Sequence, residues 1–240
     1  MSSSWQEAVD EFWSSAFACE RDLLCTPGVH VVDGGYELHG YRGLYLLRID
    51  DSCFVYAPAD VRDDVRARVA GLAVDNVFSR EYARALVESG NRVLGPSRHH
   101  YAGTDELVEI DGTVVRELTD ADDRLFDTLR RECDWDDWTE SSLPDERAER
   151  FGIVQGGALV AAGNLTQWRD TYSDIGLVTH PRHRGHGHAS ALTRAMARHA
   201  LERTDAVRYR ALTSNAPSLA VARRAGFEPY GENIAVHLGE

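Results

Sequence analysis

The chain contains no lysine, so all 26 of its basic residues are arginine, and 39 aspartates and glutamates outnumber them. The formal net charge of −13 should repel nucleic acid and anionic membranes, which argues against a general nucleic-acid-binding protein. An acidic surface without lysine suits a salt-rich cytoplasm, as in halophilic proteins, because dissolved ions screen the self-repulsion. A GC-rich genome that favours arginine codons would also explain the missing lysine.

Paired cysteines and long apolar runs are also absent. The four cysteines, at 19, 25, 53 and 133, form no CxxC motif, which is typical of reduced and mostly buried thiols. No apolar run approaches the ~18 residues that a membrane helix needs. The start, MSSSWQEAVDEFW, is acidic and amphipathic and unlike a signal peptide. We therefore expect a cytoplasmic protein without a membrane helix.

The first part of the 240 residues predicts a small α+β domain. Apolar residues at three- and four-residue spacing predict a helix from Trp5 to Phe17. The stretches VHVV, LYLLRI and CFVYA predict strands, with a turn at Asp51-Ser52, and 61–69 and 79–88 predict helices. The polar, turn-rich segment GPSRHHYAGTDE, which begins at Gly95, predicts a linker. The expected domains are therefore 1–105 and 106–240.

The second part predicts an α/β (α+β) unit with a mixed sheet. Its pattern begins with the strand VVREL and a helix capped by Thr119 or Asp120. A short helix in DWDDWTESSL, a hairpin around the Gly-Gly of FGIVQGGALVAAGNL and the strand SDIGLVT follow. The end predicts a strand at 207–212, a helix at 217–225, and separate strands near Tyr230 and at 234–238. The first part has a looser strand, strand, helix order, so it is either an unrelated domain or a degenerate copy of the second.

The segment THPRHRGHGHASALTR, from Thr179, raises a choice between a metal site and an anion site. Its four histidines resemble metal ligands, but the alternating Arg182 and Arg184 would repel a divalent cation, so we expect no metal. Gly185 and Gly187 instead allow the backbone to approach a ligand, and the helix that follows turns its positive end towards the same point. Together with Arg184, this pattern predicts a phosphate or pyrophosphate cradle.

The same loop resembles the signature of the GNAT superfamily of acyl-coenzyme A-dependent N-acetyltransferases. That signature is Arg or Gln, two residues, Gly, one residue, then Gly or Ala, and it fits Arg184-Gly185-His186-Gly187-His188-Ala189. A frame that starts at Arg182 also fits. Asn215, twelve residues before Phe227, matches a second landmark of the family. The resemblance covers about residues 110–240 and implies a GNAT-like acetyltransferase domain that uses acetyl-CoA as co-substrate.

The resemblance also implies roles for individual residues near the cofactor. The backbone of Val178 and Thr179 would pair with the pantetheine arm, and one of their N–H groups would polarise the thioester carbonyl. Residues 184–189 would hold the pyrophosphate, with Ser190 in the first helical turn and Asn215 near the cofactor.

Two further residues are candidates for proton transfer. Asp174, on the strand before the loop, is our candidate for the base that deprotonates the amine. The family's usual tyrosine acid is replaced by Ala222, so Tyr230 or water would protonate the thiolate. The expected function is transfer of an acetyl group to a primary amine of a small molecule or protein, for which the acidic, tryptophan-bearing stretch 134–140 could form one wall. A non-catalytic acyl-CoA-binding sensor or interaction module is the alternative, and a homodimer is left open.

Overall fold

The computed structural model describes residues 4–87, 92–108, 113–141, 143, 148–168 and 171–238. The helices are α1 (Ser4–Phe17), α2 (Arg62–Val69), α3 (Val74–Val77), α4 (Arg80–Ala85), α5 (Asp123–Glu132), α6 (Trp135–Glu140), α7 (His188–Leu201) and α8 (Ala216–Ala225). The strands are β1 (Gly28–Val32), β2 (Gly43–Ile49), β3 (Ser52–Tyr56), β4 (Val93–Ala102), β5 (Arg116–Glu117), β6 (Glu149–Gln155), β7 (Ala158–Trp168), β8 (Thr171–Thr179), β9 (Val207–Leu212) and β10 (Glu228–His237).

The strands form two sheets, and the chain forms two compact units. The larger sheet has the order β1-β3-β2-β10-β4-β9, and the smaller one β5-β6-β7-β8. The first unit consists of Met1–His99, Ala211–Asn215 and Pro229–Glu240, and the second of His100–Arg210 and Ala216–Glu228. The predicted mixed α/β fold is confirmed, since β1 pairs with β3 in parallel while β2 pairs with β3 and β10 antiparallel. The predicted domain division at residue 105 stays a prediction.

The core of the first unit lies on both faces of its sheet. On one face the predicted helix α1 is confirmed, and its Trp13 and Phe17 stack on Tyr45 and Phe54 at ring-centroid distances of 5.9 and 5.1 Å. The alternate residues of β2 and β3 point to the other face and pack against α2, α3 and α4. Because helices cover both faces, β2 and β3 are apolar at nearly every position rather than at every second one.

The predicted linker at Gly95 is wrong, because this segment forms strand β4. Its polar side chains are typical of a linker, but those of Arg98 and His99 have hydrogen-bond partners on β10. Arg98 donates to Glu232 at 2.6 Å, and the imidazole of His99 is hydrogen-bonded to Asn233 at 2.8 Å. A polar side chain whose hydrogen bonds are satisfied can be buried in a sheet, and the partners lie 134 residues away in sequence.

Two smaller expectations about the first unit are also corrected. The separate strands expected near Tyr230 and at 234–238 are one continuous strand, β10. Gly231 interrupts the apolar pattern, but it lies within the strand and not in a turn. Glycine is required there because a Cβ atom would lie 2.6 Å from the carbonyl oxygen of Arg48. The turn between β2 and β3 falls at residues 50–51 rather than 51–52, and Asp50 adopts the left-handed conformation there (φ 47°).

The second unit is a four-stranded antiparallel sheet with helices on both faces. Residues of α5 and α6 pack on one face, where Leu129 and Trp138 meet Ala162 and Val178. Helix α7 packs on the other face so closely that a Cβ atom on Gly163 would lie 2.7 Å from Met196. The predicted hairpin is confirmed as β6 and β7, with left-handed glycines at its turn. These layers hold the end of β8 and the start of α7 in fixed positions.

Two further expectations concern the cysteines and membrane-spanning helices. All four cysteines are free thiols, but only Cys53 is fully buried and Cys25 is exposed. Burial raises the pKa of the Cys53 thiol to about 12. In the part of the chain that the structure describes, no helix combines the length and apolar character needed to cross a bilayer.

Candidate functional site

The loop between β8 and α7 has the shape of an anion cradle. Gly185 and Gly187 have φ angles of 80° and 83°, a left-handed conformation that glycine adopts without steric cost. A Cβ atom at either position would meet nothing within 4 Å. Gly187 is the N-cap of the 14-residue helix α7, and none of the described side chains caps that helix. The first-turn amides and the helix dipole therefore point towards open space beside two glycines.

Strand β8 lies at the edge of the four-stranded sheet, and its last residues carry backbone groups that face away from β7. The amide of His180 donates to Val160 on β7 at 2.9 Å. Since alternate residues of an antiparallel strand point to the same neighbour, the amide of Val178 also faces β7. Those of Thr179 and Leu177 face away from it. The N–H groups of Val178 and Thr179 were both expected to be able to polarise a carbonyl. Of these two, the N–H of Thr179 faces away from β7 and is available to a ligand.

Arg184, the arginine of the loop motif, is held by two hydrogen bonds. Its Nε donates to the carbonyl oxygen of Thr179 at 3.3 Å, and its Nη2 donates to Oδ2 of Asp137 on α6 at 2.6 Å. The spacing of residues within the loop gave no sign of Asp137, which the fold brings in from 47 positions upstream. Arg184 is therefore fixed in orientation before any ligand arrives.

The rings of the four histidines of the loop form a row. His186 stacks on His188 with ring centroids 6.0 Å apart, and His183 lies between His188 and His180 at 6.3 and 5.3 Å. His180 accepts the amide hydrogen of Arg182 at Nδ1, so its Nε2 donates to Glu132 at 3.0 Å. Among the described residues, no three His, Cys, Asp or Glu side chains are grouped to hold a metal ion.

Two buried polar atoms lie on residues that flank the loop in the chain. They are Oγ1 of Thr179 and Nδ1 of His188, and the described residues supply neither with a hydrogen-bond partner. Burial, assisted by His186 and His183, lowers the pKa of His188 below its ordinary value of 6.5. An uncharged His188 is therefore favoured when the loop has no anion beside it.

Replacing His188 by leucine should reduce the acid sensitivity of the fold. Because its pKa is lower in the folded chain than in the unfolded chain, proton uptake favours unfolding as the pH falls below 6.5. The leucine variant has no imidazole to protonate. Its free energy of unfolding, relative to that of the unmodified chain, should therefore increase as the pH is lowered from roughly 8 to roughly 5. Urea titrations of both proteins across this range measure the difference, and parallel pH profiles would contradict the prediction.

The other expected site residues are distributed between the two units. Ala189 and Ser190 lie in the first turn of α7, where Ser190 is buried. Asn215 belongs to the first unit and donates its amide hydrogen to Leu212. Tyr230 also belongs to the first unit, and its hydroxyl donates to Asp10 at 2.8 Å. The backbone of Asp174 pairs with Thr166, but its side chain lies outside the described part of the chain.

A pair of hydroxyl groups in the second unit was not expected from the sequence. The hydroxyl of Tyr209 on β9 lies 2.8 Å from Oγ of Ser218 on α8. Ser218 is four residues before the fully buried Ala222, so both lie on the same face of α8. Burial raises the pKa of Tyr209, which keeps this phenol protonated at neutral pH. The spacing of the motifs did not indicate a role for Tyr209, because in the sequence it is one residue of the predicted strand 207–212.

Comparison with known proteins assigns the unit that carries the cradle. Residues 113–227 match the model of the acetyltransferase (GNAT) family. This segment belongs to the GNAT family. The resemblance seen in Arg184 to Ala189 is thereby confirmed, and membership of the GNAT family supports acyl transfer as the activity of the segment. No curated protein matches the chain.

Solved GNAT structures resemble this chain in fold. An acetyltransferase of the GNAT family from Colwellia psychrerythraea aligns with a TM-score of 0.54 and 12% identity over 100% of this chain and 98% of that chain. A GCN5-related N-acetyltransferase from Kribbella flavida aligns with a TM-score of 0.47 and 17% identity over 66% of this chain, which spans 64% of that protein. At 12% identity the Colwellia structure shares a fold with this chain and nothing more specific.

Proposed function

We propose that this GNAT chain transfers an acetyl group from acetyl-CoA to a primary amine of a small molecule or protein. The observation that carries the proposal is the open space at Gly185 and Gly187, directly before the start of α7, which no described side chain caps. Arg184, which precedes Gly185 in the chain, adds a cation whose orientation is held by Asp137. Backbone amides and a helix dipole at such a point bind a diphosphate. A sheet-edge strand, β8, leads directly into the cradle, as an extended acyl-pantetheine arm requires.

The residues of the cradle would divide the work of holding the co-substrate. Arg184, the backbone of residues 185–189 and the buried Ser190 would hold the diphosphate. Thr179 and Val178 would border the pantetheine arm, and the amide of Thr179 would donate to the thioester carbonyl oxygen as negative charge develops there. Asn215 would contact the cofactor, as its position in the family motif implies.

Proton transfer would accompany the chemical step. The amine nitrogen attacks the carbonyl carbon after a base removes its proton, and Asp174 on β8 is our candidate for this base. The C–S bond then breaks, and the thiolate leaves with the bonding electrons and takes up a proton. Tyr230, hydrogen-bonded to Asp10, or water would supply that proton. A coenzyme thiolate is stable enough to leave before it is protonated.

The acidic helix α6 would favour a cationic amine as the acceptor. Trp135 is 72% exposed and lies beside Asp136 and Asp137, whereas Trp138 is buried in the core. Of these two tryptophans, Trp135 is therefore the one available to stack on a cation, and Trp138 anchors the helix.

Release of free thiol from acetyl-CoA tests the proposal. The purified chain is mixed with acetyl-CoA and a panel of polyamines, amino-sugar amines and peptide N-termini, and thiol is followed with a chromogenic disulfide. We expect amine-dependent thiol release by at least one acceptor and acetylated product by mass spectrometry. Reactions without amine and reactions without protein are the controls. Tight binding of acetyl-CoA without turnover for any acceptor would instead support the acyl-CoA sensor, which Ala222 at the usual tyrosine position favours.

A further inference from the structure

Asp137 on α6 forms an ion pair with Arg184, the arginine of the cofactor loop, at 2.6 Å. We infer that Asp137 is a positioning residue, which fixes the guanidinium of Arg184 in the orientation that binds the diphosphate. The inference deepens the proposed function and rests on it. It assigns to α6 a part in binding the donor, whereas the sequence indicated only a wall for the acceptor.

The hydrogen bonds of Arg184 leave a defined set of donors for a ligand. A guanidinium has five N–H groups in a rigid plane. Nε is used by the carbonyl of Thr179, and one N–H of Nη2 is used by Asp137. Two bonds on one edge of a planar group fix both its position and its tilt. The Nη1 edge is then available in a fixed direction, and the side chain is 48% exposed and open to a ligand.

Asp137 can position Arg184 because α6 is itself firmly anchored. Trp138, the next residue, is 3% exposed and packs edge-on against Phe126 at 5.1 Å. Arg130 lies over the same indole ring at 5.9 Å. At the end of the helix, the carbonyl of Ser141 lies so close to β8 that it fills the space a side chain on Gly176 would need. Asp137 is thus held by a buried neighbour on one side and by a strand contact on the other.

A second acid supports the beginning of the same loop. Glu132, at the end of α5, accepts from Nε2 of His180 at 3.0 Å, directly after β8 ends. Helices α5 and α6 therefore each contribute one carboxylate to the loop, and these two contacts lie on the two sides of Pro181. This arrangement orders the loop before the ligand binds, and preorganisation reduces the entropy lost on binding.

The positioning role and a purely electrostatic role of Asp137 predict effects of opposite sign. As a simple negative charge, Asp137 would repel a diphosphate, and its removal would tighten binding. As a positioning group, its removal frees the guanidinium to adopt other rotamers, and binding weakens. The carboxylate of Asp137 is 42% exposed, so solvent screens its repulsion while the hydrogen bond remains directional.

The test is coenzyme A affinity in the Asp137→Asn variant, measured by calorimetry on the whole chain. We expect the Kd to rise about tenfold, the loss typical of one charge-assisted hydrogen bond. The KM for acetyl-CoA should rise in parallel, while the melting temperature stays unchanged. Asp127→Asn, which removes the same charge from an exposed position on α5, is the matched control and should bind as the unmodified chain does.

Coupling to Arg184 completes the test. In an Arg184→Ala background, Asp137→Asn should cause no further loss, because the group that it positions is gone. Additive losses would overturn the inference, as would affinity in the Asp137→Asn variant that is unchanged or tighter. If the unmodified chain itself fails to bind coenzyme A, the proposed function fails. If it binds and only the variant pattern disagrees, the inference alone fails.

Discussion

Replacing Gly187 by tryptophan should abolish coenzyme A binding and leave the chain folded. The φ angle of 83° at Gly187 makes any other residue strained, at a cost of about 1 kcal/mol, which a folded domain tolerates. A Cβ atom at this position would lie more than 4 Å from any described atom beyond the neighbouring residues, so the side chain begins in open space and an indole can extend into the space that we assign to the diphosphate. Calorimetric titration with coenzyme A measures the effect.

Gly157→Trp separates loss of the cradle from backbone strain. Gly157 lies in the turn between β6 and β7 with a φ angle of 82°, and a Cβ atom there also meets nothing within 4 Å. Its tryptophan variant therefore carries the same strain in the same unit. We expect both variants to lose similar stability and only Gly187→Trp to lose binding. Retained affinity in a folded Gly187→Trp protein would show that the loop is not the cradle.

The Gly176→Ala variant should lose about 3 kcal/mol of the free energy of unfolding, at the upper end for an overpacked site. A methyl group on Gly176 would collide with the backbone carbonyl of Ser141 and with Oδ1 of Asn164. A carbonyl that ends an anchored helix cannot rotate away as a side chain can, so α6 would have to move from β8. Since α6 carries Asp137, the surviving folded fraction should also bind coenzyme A more weakly.

Gly152→Ala is the control for this loss. The atoms nearest to a methyl group there belong to the side chains of Leu159 and Leu118, at 2.6 and 3.0 Å, which can change rotamer at a cost of about 1 kcal/mol. Urea unfolding of the two variants and the unmodified chain measures the difference. Equal losses in Gly176→Ala and Gly152→Ala would mean that α6 is not rigidly held against β8, and the argument for Asp137 would lose its structural basis.

The catalytic assignments depend on tertiary structure more than the cofactor loop does. The sequence alone suggested Tyr230 or water as the acid, because Ala222 occupies the position of the family's usual tyrosine. In the structure its hydroxyl is engaged by Asp10, 220 positions away. Tyr209 and Ser218, a hydroxyl pair nine residues apart, gave no signal because alternation in a strand and spacing in a helix do not show which side chains meet across two elements.

The sequence by itself determined the local structure on which the cradle depends. A strand that ends at Thr179, two glycines in left-handed conformations and a helix that begins at His188 follow from the rules of local chain geometry. The apolar stripe of α1 and the Gly-Gly hairpin of β6 and β7 were equally predictable. These features depend on interactions between residues close in sequence, and such interactions leave a periodic or positional pattern.

Only the tertiary structure decided which polar groups find partners. The sequence of strand β4 predicts a linker, and only the fold shows that Glu232 and Asn233 are hydrogen-bond partners of Arg98 and His99. In the same way, Arg184 looked like a free cation until the fold brought Asp137 beside it. The physical reason is that burial of a polar or charged side chain costs free energy unless a partner meets it. That partner can lie anywhere in the chain, so no local pattern records it.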